Sequence, residues 1–248
     1  MSLENIVKIS CELSLPSSSM THNIGSLLHG ALMEKLSSSI SEQLHQFRYN
    51  PIKQRLVIEK GAAVWEVVCL EQTTSAELAD VFASLNDIFL KRHNVSVPIS
   101  GAKVDFFSLE GFVEKHMSES CPKMLVKLDF QSPTSFKKDK GYDIFPDVKK
   151  LLRSIMLNFD YFSPKVKIYD FEALDFFATQ AKIIDYNLRS TRFSLEGIKI
   201  PSFRGKINLK LIGNTQTLQL LNLVLSFGEL SGVGIKTSLG MGHMRIIG

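Results

Sequence analysis

No apolar run in this chain approaches the roughly 18 residues that a membrane-spanning helix needs, so no membrane partner is expected. Cysteine is scarce: Cys11, Cys69 and Cys121 are odd in number, far apart and without CxxC spacing. That pattern argues against a disulfide framework or a zinc site and points to reduced thiols in or near the core of a cytoplasmic protein. A signal peptide is not expected either, because Met1 to Ser10 carries Glu4 early and alternates like a strand. Long polar tracts are missing. With 44% hydrophobic residues among 248, the chain can bury a sizeable core as one large domain or two of ordinary size. Catalytic signatures are also few. There is no paired-carboxylate motif, no His-Glu-x-x-His, no serine nucleophile elbow and no cluster of metal ligands, so no metal or other cofactor is expected.

Charge is present but unevenly placed. Residues 1–118 hold 10 Lys and Arg against 13 Asp and Glu, a net of −3, which leaves +7 on residues 119–248 of the total +4. A polyanion-binding second half and a solvated lysine-rich surface stand level on charge alone.

The patterning predicts an α+β chain of two similar halves. Asn5 to Leu15 alternates as a half-buried strand, ended by Pro16 and the serines at 17–19. A helix follows from Asn23 to Leu36, with Ile24, Leu27, Leu28, Ala31 and Leu32 on its core face. Gln54 to Ile58, a turn around Gly61, and Ala62 to Leu70 read as a hairpin; Ser75 to Leu90 reads as a helix and Val95 to Phe107 contains a strand. The order βαββαβ is ferredoxin-like. In the second half, strands are expected at Met124 to Gln131, Lys182 to Leu188, Gly205 to Ile212 and Met244 to Ile247. Helices are expected at Asp147 to Phe159, Glu172 to Gln180 and Thr217 to Phe227, the last ending near Gly228, with a basic hairpin tip over Phe136 to Tyr142. Pro122 and the polar stretch before it put the boundary near residue 119, giving domains 1–118 and 119–248.

Gly232 to Gly242 reads Gly-Val-Gly-Ile-Lys-Thr-Ser-Leu-Gly-Met-Gly, two Gly-apolar-Gly triplets around five residues. Glycines at that density permit positive φ and would leave N–H groups bare for an anionic backbone. A tight helix-to-strand connection is the plainer reading. A nucleotide-binding P-loop fits poorly, because Ile235 separates Lys236 from Gly234 and a strand follows.

This glycine loop resembles the C-terminal signature of the CRISPR-associated endoribonucleases that cut precursor CRISPR RNA within its repeats. So do Leu28 to Leu32 with Gln43 to His45, Phe145 to Lys149, Leu152 to Met156, Ser190 to Phe193 and Ile200 to Phe203, the last four matching the branch of these RAMP proteins found in type III systems. The ordered set spans nearly the whole chain. It implies two tandem ferredoxin-like domains and a metal-independent endoribonuclease whose partner is CRISPR repeat RNA. Transient contact with a type III effector complex and a homodimer remain open. The alternative is a catalytically silent RNA-binding subunit of an effector complex.

Histidines beside basic residues suit RNA, whose own 2′-hydroxyl can attack the adjacent phosphate. One proton must leave, another must be given, and imidazole can do either near neutral pH. His45 is expected in a loop; taken alone it reads as a surface residue, but the resemblance puts the catalytic histidine at Leu44-His45. His29 flanks the apolar stripe of its helix one turn before Met33, where many relatives have tyrosine, and is the candidate partner. Lys53 and Arg55 lie close to the family's catalytic lysine and could stabilise phosphate charge. RNA contacts are expected from Lys137, Lys138, Lys149, Lys150, Arg153, Arg189, Arg192 and Arg204, and from Lys236, Thr237 and Ser238 between Gly232, Gly234, Gly240 and Gly242. Phe193 and Phe203, interspersed among them, read singly as core.

Overall fold

The computed structural model describes residues 6–16, 22–59 and 62–248; the serine stop at 17–19 and the turn around Gly61 lie outside the described residues. The chain divides into two units, residues 1–108 with 236–240, and residues 109–235 with 241–248. Each is built on an antiparallel sheet.

In the first unit the elements are β1 (Ile6–Leu13), α1 (Gly25–Met33), α2 (Ser38–Gln46), β2 (Ile52–Glu59), β3 (Ala62–Cys69), α3 (Gln72–Ser84), β4 (Asp87–Leu90) and β5 (Val95–Phe107). The sheet order is β2-β3-β1-β5-β4, which without the short edge strand β4 is the ferredoxin-like order. Strand alternation makes its core. Val7, Ile9, Cys11 and Leu13 pair with Cys69, Val67, Trp65 and Ala63, so one face of β1 and β3 is apolar throughout. Leu28 and Leu32 of α1 and Leu78 and Phe82 of α3 close over that face. The Trp65 and Phe82 rings lie 5.2 Å apart. Two expectations change here. The helix expected up to Leu90 ends at Ser84; Ile88 and Leu90 are buried while Phe89 is 46% exposed, the period of a strand paired with β5. The helix expected up to Leu36 ends at Met33, and a second one, α2, follows.

In the second unit come α4 (Leu109–Met117), β6 (Leu125–Thr134), β7 (Phe136–Lys138), β8 (Gly141–Asp143), α5 (Val148–Phe162), α6 (Phe171–Gln180), β9 (Ala181–Leu195), β10 (Ile198–Leu211), α7 (Thr215–Ser231) and β11 (Met244–Ile247). The order β11-β6-β10-β9 repeats the ferredoxin-like pattern, so the chain is α+β with two such folds in tandem. Helix α4 packs on α7, with Phe112 and Phe227 rings 6.3 Å apart, and this unit therefore starts at Leu109, ahead of residue 119. The strands expected at Lys182 to Leu188 and Gly205 to Ile212 extend towards each other through the basic residues between them: β9 and β10 form one long hairpin turning at Glu196 and Gly197. Gly228 does not end its helix. A Cβ there would stand 2.7 Å from Ile155 Cδ1, so glycine lets α5 and β11 approach mid-helix. Cys11 and Cys69 are buried as expected, whereas Cys121 is exposed. Among the described residues, no helix is long and apolar enough to cross a membrane.

Candidate active site and nucleic-acid interface

The first unit contains all four candidate catalytic residues. His45 lies in the last turn of α2 rather than in a loop, and it is exposed. Three contacts hold its helix. The Ser37 hydroxyl accepts from the Ile40 N–H at 3.3 Å, Glu77 of α3 accepts from the Ser37 N–H and hydroxyl, and Ile40 and Leu44 are buried in the core. Leu44 thus points inward and its neighbour His45 points out.

His29 is half-buried on α1, and its Nδ1 is buried without a hydrogen-bond partner among the described residues. Burial pushes its pKa down to about 4. At neutral pH this imidazole is uncharged. It can accept a proton or fix a neighbour, but it lacks the second ring proton that a general acid would give.

Strand alternation sends Ile52, Gln54 and Leu56 of β2 toward the helices, and Lys53 and Arg55 to the opposite face of the sheet. The sheet therefore separates Arg55 from His29. Arg55 Nε donates to Glu66 at 2.5 Å, and both side chains are buried; Lys8 Nζ stands 3.9 Å from the same carboxylate. Lys53 is buried as well, and burial brings its pKa down to about 7. Breaking a buried ion pair leaves a charge uncompensated. Glu66→Ala is expected to cost about 3–5 kcal/mol of unfolding free energy in urea titration, while the double change Arg55→Met with Glu66→Leu costs far less. A loss for Glu66→Ala under about 1 kcal/mol would show that Arg55 is stabilised without this partner.

Between those two cations sits a residue that the sequence reading passed over. Gln54 Nε2 donates to the Gly25 carbonyl and to the Ser238 carbonyl, each at 2.8 Å, and Gln54 Oε1 accepts from Trp65 Nε1 at 2.8 Å. Its signal was a single polar residue on the inward register between Ile52 and Leu56. The tip of the glycine loop, Lys236 to Gly240, belongs to this unit; Lys236 is exposed, and Thr237 and Ser238 are half-buried.

The rest of the loop is in the second unit. Gly232, Gly234, Gly240 and Gly242 all take positive φ, between 65° and 97°. A Cβ on Gly234 would stand 2.3 Å from the Ser135 carbonyl oxygen. The N–H groups are not bare here: Val233 donates to Gly242, Gly234 to the Ser154 hydroxyl, Ile235 to Ser135 and Gly242 to Pro133, at 2.8–3.1 Å. These glycines serve close packing of the flanks, the plainer of the two readings.

The basic residues fall into three groups. Lys137 and Lys138 are exposed on the β7–β8 hairpin. On α5, Lys149 pairs with Asp175, Lys150 pairs with Asp143, and Arg153 is exposed. On the long hairpin Arg189 lies directly opposite Arg204, while Arg192 pairs with Pro201 and faces the other way. Arg204 Nε is buried without a partner among the described residues. Burial and then the Arg189 charge lower its pKa. Like charges directly opposite across a ladder are destabilising, and among the described residues Asp129 is the acidic group that offsets them at Arg204. Register adds two basic residues that the sequence reading missed, Arg245, which neighbours Asp129 beside Lys206, and Lys127, which neighbours Asn208, all on the Arg204 face. Phe193 and Phe203 are buried and belong to the core; the exposed aromatic pair is Phe145 with Tyr186, centroids 5.9 Å apart.

The family profile described as CRISPR-associated endoribonuclease Cas6 matches residues 128–244. A CRISPR-associated endoribonuclease Cas6 of Streptococcus thermophilus is 31% identical over 220 residues, covering 88% of this chain and 89% of that one. One from Mycobacterium tuberculosis is 23% identical over 234 residues, covering 90% and 71%. Among solved structures, a Cas6 product complex superposes with a TM-score of 0.80 at 19% identity, covering 98% of this chain and 99% of that one. Thermus thermophilus Cas6 superposes with a TM-score of 0.74 at 18% identity over the full length of both.

Proposed function

The chain belongs to the Cas6 family of CRISPR-associated endoribonucleases, and from that premise we propose that it cuts precursor CRISPR RNA within each repeat without a metal ion. The observation that carries this reading is His45, exposed at the end of a helix whose start is capped by Ser37 and tied to Glu77 and whose Ile40 and Leu44 are buried, in the unit that also contains His29, Lys53 and the loop tip. A proton carrier so held needs only a substrate that brings its own nucleophile, and RNA does. The 2′-oxygen bonds to phosphorus, the P–O5′ bond breaks, one proton leaves the 2′-hydroxyl and one reaches O5′. The products are a 2′,3′-cyclic phosphate and a 5′-hydroxyl. His45 moves a proton as base or acid. His29, uncharged, accepts one or orients the attacking group. Lys53 and Arg55, buried on the opposite face of the sheet, supply positive potential from a distance rather than direct phosphate contacts.

The second unit provides the RNA-holding surface in this reading. Lys149 can exchange its exposed Asp175 partner for a phosphate at little cost, since exposed ion pairs are worth about 0–1 kcal/mol, and Lys150, half-buried against Asp143, can add a second contact. The Arg189–Arg204 pair and the hairpin lysines add further phosphate contacts, and Lys236, Thr237 and Ser238 meet the RNA from the loop tip. The enzyme would work in the cytoplasm on the repeats of a type III-like system, in passing contact with its effector complex.

The test is cleavage of repeat RNA by purified protein in excess EDTA, with the ends mapped. Cutting at one bond, leaving a cyclic phosphate and a 5′-hydroxyl, is expected. Activity that returns only with Mg²⁺, or a 5′-phosphate on the product, would overturn the mechanism.

A further inference from the structure

We propose that Gln54 is a positioning residue for RNA cleavage: it latches the loop tip, residues 236–240, onto the first turn of α1, the helix that carries His29. This rests on the reading of the tip as an RNA contact and adds how the tip is held.

Gln54 is 3% exposed and occupies a core register between Ile52 and Leu56. An apolar residue would fill that place if packing were all that mattered. A buried carboxamide is costly unless its bonds are made, and here each of its groups has a partner. Its orientation follows from the chemistry of the neighbours. Trp65 Nε1 can only donate, so it faces Oε1; the amide hydrogens then point at two carbonyls, Gly25 on α1 and Ser238 at the tip. The flipped amide would set oxygen against both carbonyls.

Gly25 completes the latch. A Cβ at this position would stand 2.4 Å from the Leu239 carbonyl oxygen, so only glycine admits the tip this close to α1. Carbonyls 238 and 239 are thus both turned inward. Lys236, just before the 3-10 turn Thr237–Leu239, takes a left-handed φ of 56° and stays exposed. The latch therefore sets where Lys236 presents its ammonium group. It ties that charge to the helix bearing His29 through Gln54 and Gly25, both buried.

Gln54→Met keeps the volume and adds no charge, and Gly25→Ala attacks the same contact from the helix side. Hydrogen exchange of RNA-free protein should show amides 237–239 exchanging about tenfold faster in both variants, while β6 and β10 are unchanged. Single-turnover cleavage at saturating protein should slow by up to about 10²-fold, the scale of a misplaced group. In a Lys236→Ala background Gln54→Met should cost little more, because its effect passes through the tip. Unchanged exchange in both variants overturns the latch. Faster exchange with unaltered cleavage overturns the positioning role, as does a full, additive loss in the Lys236→Ala background. A Lys236→Ala protein that binds and cuts repeat RNA like the wild type overturns the underlying reading of the tip, whatever the exchange shows.

Discussion

Repeat RNA in which the single nucleotide upstream of the cut lacks its 2′-hydroxyl is expected to bind like the native RNA and to remain whole. The reaction proposed above has no other nucleophile, so removing one oxygen should abolish cleavage rather than slow it. Binding should be spared, because the basic groups on α5 and the long hairpin are proposed to address phosphates and not this hydroxyl. The measurement is a single-turnover time course with a competition assay for affinity. Cutting of the deoxy-substituted RNA at the same bond would require an outside water as nucleophile and would rule the mechanism out.

His45→Ala should remove most of the cleavage, by about 10²–10⁴-fold, the usual contribution of one positioned acid or base. Affinity for repeat RNA should change little. The helix should also survive, since Ile40 and Leu44 carry its packing and the Ser37–Glu77 contacts its start. His29→Ala should cost less, because burial holds that imidazole uncharged with a pKa of about 4. A His45→Ala enzyme within a few-fold of wild type would remove His45 from the chemistry. Equal losses for the two histidines would mean that they act as a pair.

Much of the fold could be read from periodicity, and the exceptions share a cause. β1, β3 and α5 bury one face against another element, and their apolar spacing states this plainly. Helix α2 has only Ile40 and Leu44 at helical spacing within a run of serines, and its start depends on Glu77, a residue remote in sequence. That is why His45 was expected in a loop. β4 was hidden because its Ile88 and Leu90 extend the apolar run of α3, and only pairing with β5 distinguishes strand from helix. The outer parts of β9 and β10 read as connection because their basic residues show no apolar alternation. In the candidate site the histidines and cations were visible as residue types. Their environments were not: the Arg55–Glu66 pair needs the hairpin register, and the Gln54 contacts need a partner 184 positions away.

That separation bears on how the protein is made. A ribosome adds about 5–20 residues per second, so the acceptor at Ser238 follows Gln54 by on the order of ten seconds or more. Until then the buried amide has only Gly25 and Trp65 to bond, and the first unit, though synthesised early, lacks its last piece. Vectorial folding here doubles back: a stretch of chain made late returns to complete a unit whose other elements were made before it.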